Sequence, residues 1–252
     1  MILLVDIGNT RVKWATRVGG RLSPQHAAGY AQWSAVDWQH RLFDGFPVER
    51  VLAATVAGGD SRQALEAAAR MAGVRRVDFV TSTAALAGVR NAYPDPGLLG
   101  VDRWVAVIGA YHLAQAACCV VDVGTAATLD AVDASGQHLG GFIVPGPQLM
   151  VRSLHAGTNN LAVHTAASTI GGTRLFADNT RDAIERGCRV ALAALVDRTC
   201  AELAGQTHST PRLYCTGGAV DEVLPYILTT YERVPDLVLR GLARIVDVAL
   251  ER

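Results

Sequence analysis

The sequence predicts an α/β fold built from two related halves, and three observations carry that expectation. The first is an internal echo. Ile2-Leu3-Leu4-Val5-Asp6 runs into Ile7-Gly8-Asn9-Thr10, and Cys118-Cys119-Val120-Val121-Asp122 runs into Val123-Gly124-Thr125-Ala126. Each copy is an apolar run, then Asp-x-Gly, then small residues. The second is a further strand-like run and a glycine turn just after each copy. Val12 to Thr16 leads to Gly19-Gly20, and Thr128 to Val132 leads to Ser135-Gly136. Short apolar runs bounded by glycine turns favour strands over helices. The third is the alternation of other strand-like runs with helical ones, which is the mark of a layered α/β fold. The echo is too widely spaced for an array of short repeats, whose periods are roughly 20–50 residues. It predicts two domains, residues 1–116 and residues 117–252.

The helices are placed by periodicity and stop signals. Ser61 to Ala72 is alanine-rich and Gly73 can end it. Trp104 to Ala117 is apolar nearly all round and belongs in an interior. Arg181 to Ala204 repeats Ile184, Cys188, Leu192, Leu195, Thr199 and Leu203 at helical spacing. Asn179 or Thr180 can cap its start and Gly205 can stop it. Val238 to Leu250 reads as a last helix. Strands are expected at Val51–Val56, Val77–Thr81 and Leu213–Thr216, and Pro94-Asp95-Pro96-Gly97 as a loop.

Composition excludes several classes. Hydrophobic residues make up 50% and charged residues 18%, the reverse of a disordered chain. Lys plus Arg and Asp plus Glu are 23 each, so the chain lacks the basic excess of a broad nucleic-acid binder. No run approaches the roughly 18 apolar residues of a membrane span. The first residues lack the basic segment of a signal peptide. Five cysteines without a Cys-x-x-Cys pair read as reduced, buried thiols, so a cytoplasmic location is expected. The seven histidines lack metal-ligand spacing. His155 and His164 flank a polar loop, and Trp33 and Trp38 read as packing.

The Asp-x-Gly turns are the best candidates for chemistry. Gly8 permits a tight turn and a close backbone approach. Asn9, Thr10 and the backbone N–H groups after them are donors, and Lys13 adds a cation. Such a turn can cradle phosphate oxygens while Asp6 holds Mg²⁺ through waters. An ordinary hairpin with a polar turn would look similar, but two copies at equivalent places favour a nucleotide site in a cleft between two domains. Asp102 opens the buried helix and is either its cap or a reacting carboxylate. By themselves Arg103 reads as a surface cation and Tyr93 as a packed loop aromatic.

Taken together these segments resemble the type III pantothenate kinases, within the actin-like (ribonuclease H-like) and sugar-kinase-like superfamily. Asp6-Ile7-Gly8-Asn9-Thr10-Arg11-Val12-Lys13 is similar to the family's first phosphate motif. Asp122-Val123-Gly124-Thr125-Ala126-Ala127-Thr128-Leu129-Asp130 is similar to its second. Gly100-Val101-Asp102-Arg103 matches its Gly-x-Asp-Arg substrate motif, and Gly140-Gly141-Phe142-Ile143-Val144-Pro145-Gly146 its Gly-Gly-x-Ile-x-Pro-Gly. Asn179-Thr180 with Ala183, Ile184 and Gly187, and Thr216-Gly217-Gly218, complete the set. Six segments in the right order are specific where one is not.

The resemblance implies ATP-dependent phosphorylation of pantothenate to 4′-phosphopantothenate, the first step towards coenzyme A. It implies that Asp102 accepts the proton of the substrate hydroxyl. It implies pantothenate contacts at Tyr93, Gly100, Val101, Arg103 and Thr180, and ATP contacts from Asp6 to Lys13 and at Thr125. It assigns Asp122 a K⁺ or NH₄⁺ ion, although analogy with Asp6 would give Asp122 Mg²⁺. It implies a homodimer in which Thr180 reaches the partner's substrate pocket. Asp130 is left structural or supporting. The rival readings are another kinase or phosphatase of the superfamily, a regulatory protein on the same fold, and a filament-forming ATPase. The presence of Asp6, Asp102 and Asp122 speaks against the regulatory reading, and the short chain against the filament.

Overall fold

A computed structural model describes residues 1–157 and 175–250 of the chain. In chain order its elements are β1 (Ile2–Ile7), β2 (Arg11–Val18), β3 (Arg21–Leu22), β4 (His26–Gly29), α1 (Ala35–Phe43), β5 (Arg50–Thr55), α2 (Gly59–Met71), β6 (Arg76–Phe79), β7 (Ala85–Leu86) and β8 (Val89–Arg90). There follow α3 (Val101–Ala114), β9 (Cys118–Val123), β10 (Ala126–Val132), β11 (His138–Pro145), α4 (Pro147–Gly157), α5 (Thr180–Thr207), β12 (Arg212–Thr216), β13 (Tyr231–Arg233) and α6 (Leu237–Leu250).

The chain forms two compact units. The first holds Met1–Gln115, Gly136–His138 and Asp236–Arg252, and the second Ala116–Ser135 and Leu139–Pro235. The internal echo predicts residues 117–252 as one domain. The structure instead returns α6 to the first unit, because its buried stripe of Leu237, Val238, Leu239, Gly241, Leu242 and Val246 has α3 and β1 to pack on. A hydrophobic stripe goes where an uncovered apolar face exists, and sequence distance does not prevent it.

The first unit's sheet has the order β3-β2-β1-β5-β6, with β4 also on β2. β1 is antiparallel to β2 and parallel to β5, and β5 is parallel to β6. The second unit's sheet has the order β11-β10-β9-β12-β13. There β9 is antiparallel to β10 and parallel to β12, and β12 is parallel to β13. The echo in sequence is therefore an echo in topology: a hairpin followed by two parallel additions.

Strand alternation sets what each face carries. Leu3, Val5 and Ile7 of β1 enter a core with Val12 and Trp14 of β2 and with Trp38, Leu42, Leu65 and Ala68 of α1 and α2. Leu4 and Asp6 therefore face the other side. In the second unit Cys119, Val121 and Val123 enter a core with Leu192, Val196, Cys200 and Leu203 of α5. Cys118, Val120 and Asp122 face the other side. All five cysteines are buried and free of disulfides, and burial pushes the Cys118 and Cys215 thiols up to about 12. Those two are therefore neutral at physiological pH, in keeping with packing rather than chemistry.

Most predicted elements stand within a few residues of their expected ends. α5 is longer than its stop signal suggests. It runs through Gly205 to Thr207 and stops at His208, whose φ is 51°. Thr207 Oγ1 donates to Leu203 O at 2.8 Å, and the left-handed His208 ends the helix before Pro211. Asn179 supplies the N-cap, accepting the Asp182 N–H at 3.0 Å. α1 and α4 are helices that periodicity does not single out. His155 sits on α4, while His164 and most of the expected loop at 156–163 lie outside the described residues.

α3 and α6 cross at glycine. A Cβ on Gly241 would lie 2.0 Å from Val105 O, and one on Gly109 would lie 2.6 Å from Leu237 O. Both positions demand the missing side chain. Gly241→Ala is expected to destabilise by about 1–3 kcal/mol, the usual range for overpacking, which is a loss of several degrees in the thermal midpoint. Gly187→Ala, in α5 with open space around it, is expected to stabilise by up to about 1 kcal/mol. Melts of the two variants beside the parent check both signs.

Candidate active site

In the first unit Asp6 is the next-to-last residue of β1, paired with Lys13 across the hairpin and with Ala54 of β5. Lys13 Nζ lies 4.0 Å from Asp6 Oδ2 on the same face of the sheet. Beyond them Gly8 N donates to Arg11 O at 3.0 Å and closes the turn. Asn9 and Thr10 are exposed at its tip. The motif thus presents one carboxylate, one ammonium and a tip of open backbone. Tyr30, which belongs to none of the sequence motifs, donates its hydroxyl to Gly8 O at 2.7 Å. No local signal marks it, because β4 brings it there by tertiary pairing.

Asp102 and its neighbours also belong to the first unit. Gly100 is the N-cap of α3 and provides no side-chain cap. Asp102, half-buried in the first turn, accepts the Arg103 N–H on Oδ1 at 2.8 Å. It therefore does part of a cap's work. A Cβ on Gly100 would lie 2.8 Å from Asp102 Oδ1, so glycine here leaves the carboxylate its place.

Arg103 is buried, which removes the surface-cation alternative. Its Nη1 donates to Tyr93 Oη at 3.1 Å and its guanidinium lies 6.0 Å from the Tyr93 ring centre. Tyr93 in turn stacks on His138, with centroids 6.4 Å apart and planes 14° apart. His138 is fully buried, and its spacing carries no signal in the sequence. The structure brings Tyr93, Asp102 and Arg103 into one neighbourhood.

The second unit repeats the hairpin with a shorter turn. Asp122 is next to last in β9, opposite Thr128 of β10 and Thr216 of β12. Gly124 N donates to Ala126 O at 2.9 Å, two residues on, where Gly8 reaches three residues on. Thr125 is exposed at the tip. Backbone crowds this turn from two directions. A Cβ on Gly146 would lie 2.1 Å from Gly124 O, and one on Gly217 would lie 2.5 Å from Asp122 Oδ1 and 2.3 Å from Val123 O. Gly217 also has φ 102°, which other residues avoid. Gly218 has open space and is not so constrained. Asp130 is buried opposite Val120, and Thr180 is the exposed first residue of α5.

Donor chemistry limits which ions these groups suit. Among the described residues no cluster of three or more His, Cys, Asp or Glu side chains exists, so no protein cage for a divalent ion is offered there. A single carboxylate fits Mg²⁺ that arrives with phosphates and keeps its waters. Asp122 Oδ1 and Val123 O both lie close to Gly217, while Val123 O and Thr125 O accept the Ala219 and Gly146 N–H groups at 2.9 Å.

Comparison with known proteins bears on the family and the fold. The sequence pattern of the type III pantothenate kinase family matches residues 2–202. A type III pantothenate kinase of Herminiimonas arsenicoxydans is 40% identical, with 96% of each chain covered. That of Aromatoleum aromaticum is 39% identical, again with 96% of each covered. Among solved structures, the ADPNP-bound activator of 2-hydroxyisocaproyl-CoA dehydratase from Clostridium difficile aligns with a TM-score of 0.54 at 12% identity, covering 99% of this chain and 96% of its own. ADP-bound MreB5 of Spiroplasma citri aligns at 0.51 and 12%, covering 99% and 97%. These last two speak for the fold alone, which is α/β and actin-like. With the match running through both hairpins and the Gly-x-Asp-Arg helix start, the chain belongs to the type III pantothenate kinase family.

Proposed function

We propose that the protein transfers the γ-phosphate of ATP to the primary hydroxyl of pantothenate, giving 4′-phosphopantothenate and ADP. Near-full-length identity to type III pantothenate kinases is the observation that carries it. Asp102 accepts the proton as the hydroxyl oxygen bonds to the γ-phosphorus and the bond to ADP breaks. A loose phosphoryl-transfer transition state asks little of a base beyond position and late proton acceptance. Gly100, Val101, Arg103 and Tyr93 bind pantothenate, with the buried guanidinium taking its carboxylate.

The turn from Asp6 through Ile7, Gly8, Asn9, Thr10, Arg11 and Val12 to Lys13 binds ATP phosphates, and Thr125 adds a hydroxyl to them. Mg²⁺ comes with ATP, and Asp6 holds it through water. A K⁺ or NH₄⁺ ion rests on Asp122. When bound, these cations offset phosphate charge. The enzyme works in the cytoplasm, a reading supported by its buried free thiols; among the described residues no helix is long and apolar enough to cross a membrane. It acts on small molecules rather than on nucleic acid or membrane, and it is a homodimer with shared sites.

The decisive assay is ADP release with ATP and pantothenate. Asp102→Asn keeps shape and hydrogen bonding but removes the acceptor, and is expected to fold, bind ATP and lose about 10²–10⁴ in kcat. Turnover within about threefold of the parent would remove Asp102 from that role. Gly100→Ala tests position separately: the Cβ moves a flexible carboxylate rather than backbone, so the thermal midpoint should hold while kcat falls.

Replacing K⁺ and NH₄⁺ by Na⁺ is expected to abolish activity. Asp122→Asn should raise the KM for ATP more than that for pantothenate. Full turnover in potassium-free Na⁺ buffer would reject the Asp122 site.

The shared site predicts complementation. Asp102→Asn and Thr180→Arg are each expected to be inactive. Mixed under subunit exchange, roughly half the dimers are heterodimers with one intact site, so about a quarter of parental activity should return. No recovery, with exchange verified by mass, would place both residues in one chain's site.

A further inference from the structure

The Asp6 turn is held from one side by an aromatic group to which the reaction above gives no part. β4 pairs with β2 from Trp14↔His26 to Arg11↔Gly29, and so delivers Tyr30 alongside the turn. The Tyr30 hydroxyl donates to Gly8 O at 2.7 Å. Its ring is tilted on Trp38 at 5.4 Å. Trp38 meets Trp33 edge-on at 5.1 Å, and Trp33 meets Trp14 of β2 at 6.2 Å. Trp38 is buried, so the aromatic row is a fixed wall rather than a surface ornament. Burial pushes the Tyr30 phenol above its ordinary value, so it remains a donor across neutral and mildly alkaline pH.

Peptide planarity makes this bond consequential. The Gly8 carbonyl and the Asn9 N–H belong to one trans unit and point in opposite directions. A carbonyl fixed on Tyr30 turns the Asn9 N–H away from the aromatic wall, towards the exposed tip where Asn9 and Thr10 lie. Glycine at position 8 resists rotation of that unit less than any other residue would. The hydroxyl supplies a restraint that the local sequence lacks. Backbone N–H groups held at a turn are what phosphate oxygens accept from.

We propose that Tyr30 is a positioning residue for the nucleotide phosphates, setting the orientation of the Gly8–Asn9 peptide before ATP arrives. This rests on the assignment of the Asp6 turn to ATP phosphates. Tyr30→Phe removes the hydroxyl and leaves the ring on Trp38. The Kd for ATP by calorimetry without pantothenate, and the KM for ATP, are expected to rise about three- to tenfold, the worth of one net hydrogen bond. The KM for pantothenate should stay at the parental value, and the thermal midpoint should fall by no more than a few degrees. Unchanged ATP affinity in the variant would overturn the inference while leaving the proposed reaction standing. A parallel rise in both KM values, or a melted variant, would make Tyr30 a core residue and overturn it equally. A parent protein that binds no ATP would instead remove the phosphate site itself, and the inference with it.

Discussion

In both units a carboxylate rides at the next-to-last position of a strand that is paired along both edges. β1 lies between β2 and β5, and β9 lies between β10 and β12. Alternation sends Leu3, Val5 and Ile7, or Cys119, Val121 and Val123, into a core. It sends Asp6 or Asp122 to the opposite face. A slip of one residue would exchange the two sets and drive an ionised carboxylate into hydrocarbon, at a cost of several kcal/mol. The hydrophobic register and the placement of the two carboxylates are thus one constraint. The same residues that stabilise each sheet decide where its carboxylate emerges.

The next level of positioning comes from backbone meeting backbone. α3 brings Asp102 and Arg103 to its first turn, and its direction is fixed by the crossing with α6 at Gly109 and Gly241. Gly146 and Gly217 do the same for the turn after β9. In each case a methyl group would displace peptide atoms rather than a mobile side chain. Gly100 differs, since only the Asp102 carboxylate would move. Glycines of the first kind preserve the scaffold, and the second kind preserves the geometry of one functional group.

Much of this is legible in the sequence because it is local. The hairpins, the helix starts at Gly100 and Asn179 and the glycine after α2 all depend on neighbours within a few residues. The features that escape depend on distant partners. The assignment of α6 to the first unit follows from the face that α3 and β1 leave to cover, which no local pattern reveals. α5 runs past Gly205 to Thr207, whose hydroxyl donates to Leu203 O at 2.8 Å, and a glycine inside a helix costs only about 1 kcal/mol against alanine. His138 behind Tyr93, and Tyr30 beside Gly8, arrive by strand pairing and bear no motif. The motif residues can be read as a set. The residues that hold them in place cannot.

The two hairpins are alike enough that their difference becomes informative. Opposite Asp6 stands Lys13, and opposite Asp122 stands Thr128. At 4.0 Å an ammonium and a carboxylate attract by about 4 kcal/mol at an effective dielectric near 20, and a second cation placed there meets repulsion of the same order. A divalent ion near Asp6 is therefore best tolerated behind waters and phosphate oxygens that shield it from Lys13. The second turn has a neutral hydroxyl in that place and one residue fewer, with Val123 O and Asp122 Oδ1 both close to Gly217. A cation near Asp122 meets no ammonium directly across the hairpin, where one near Asp6 meets Lys13. The two hairpins share one shape but differ at the residue facing the carboxylate and by one residue in the turn, so the two carboxylates stand in different electrostatic surroundings.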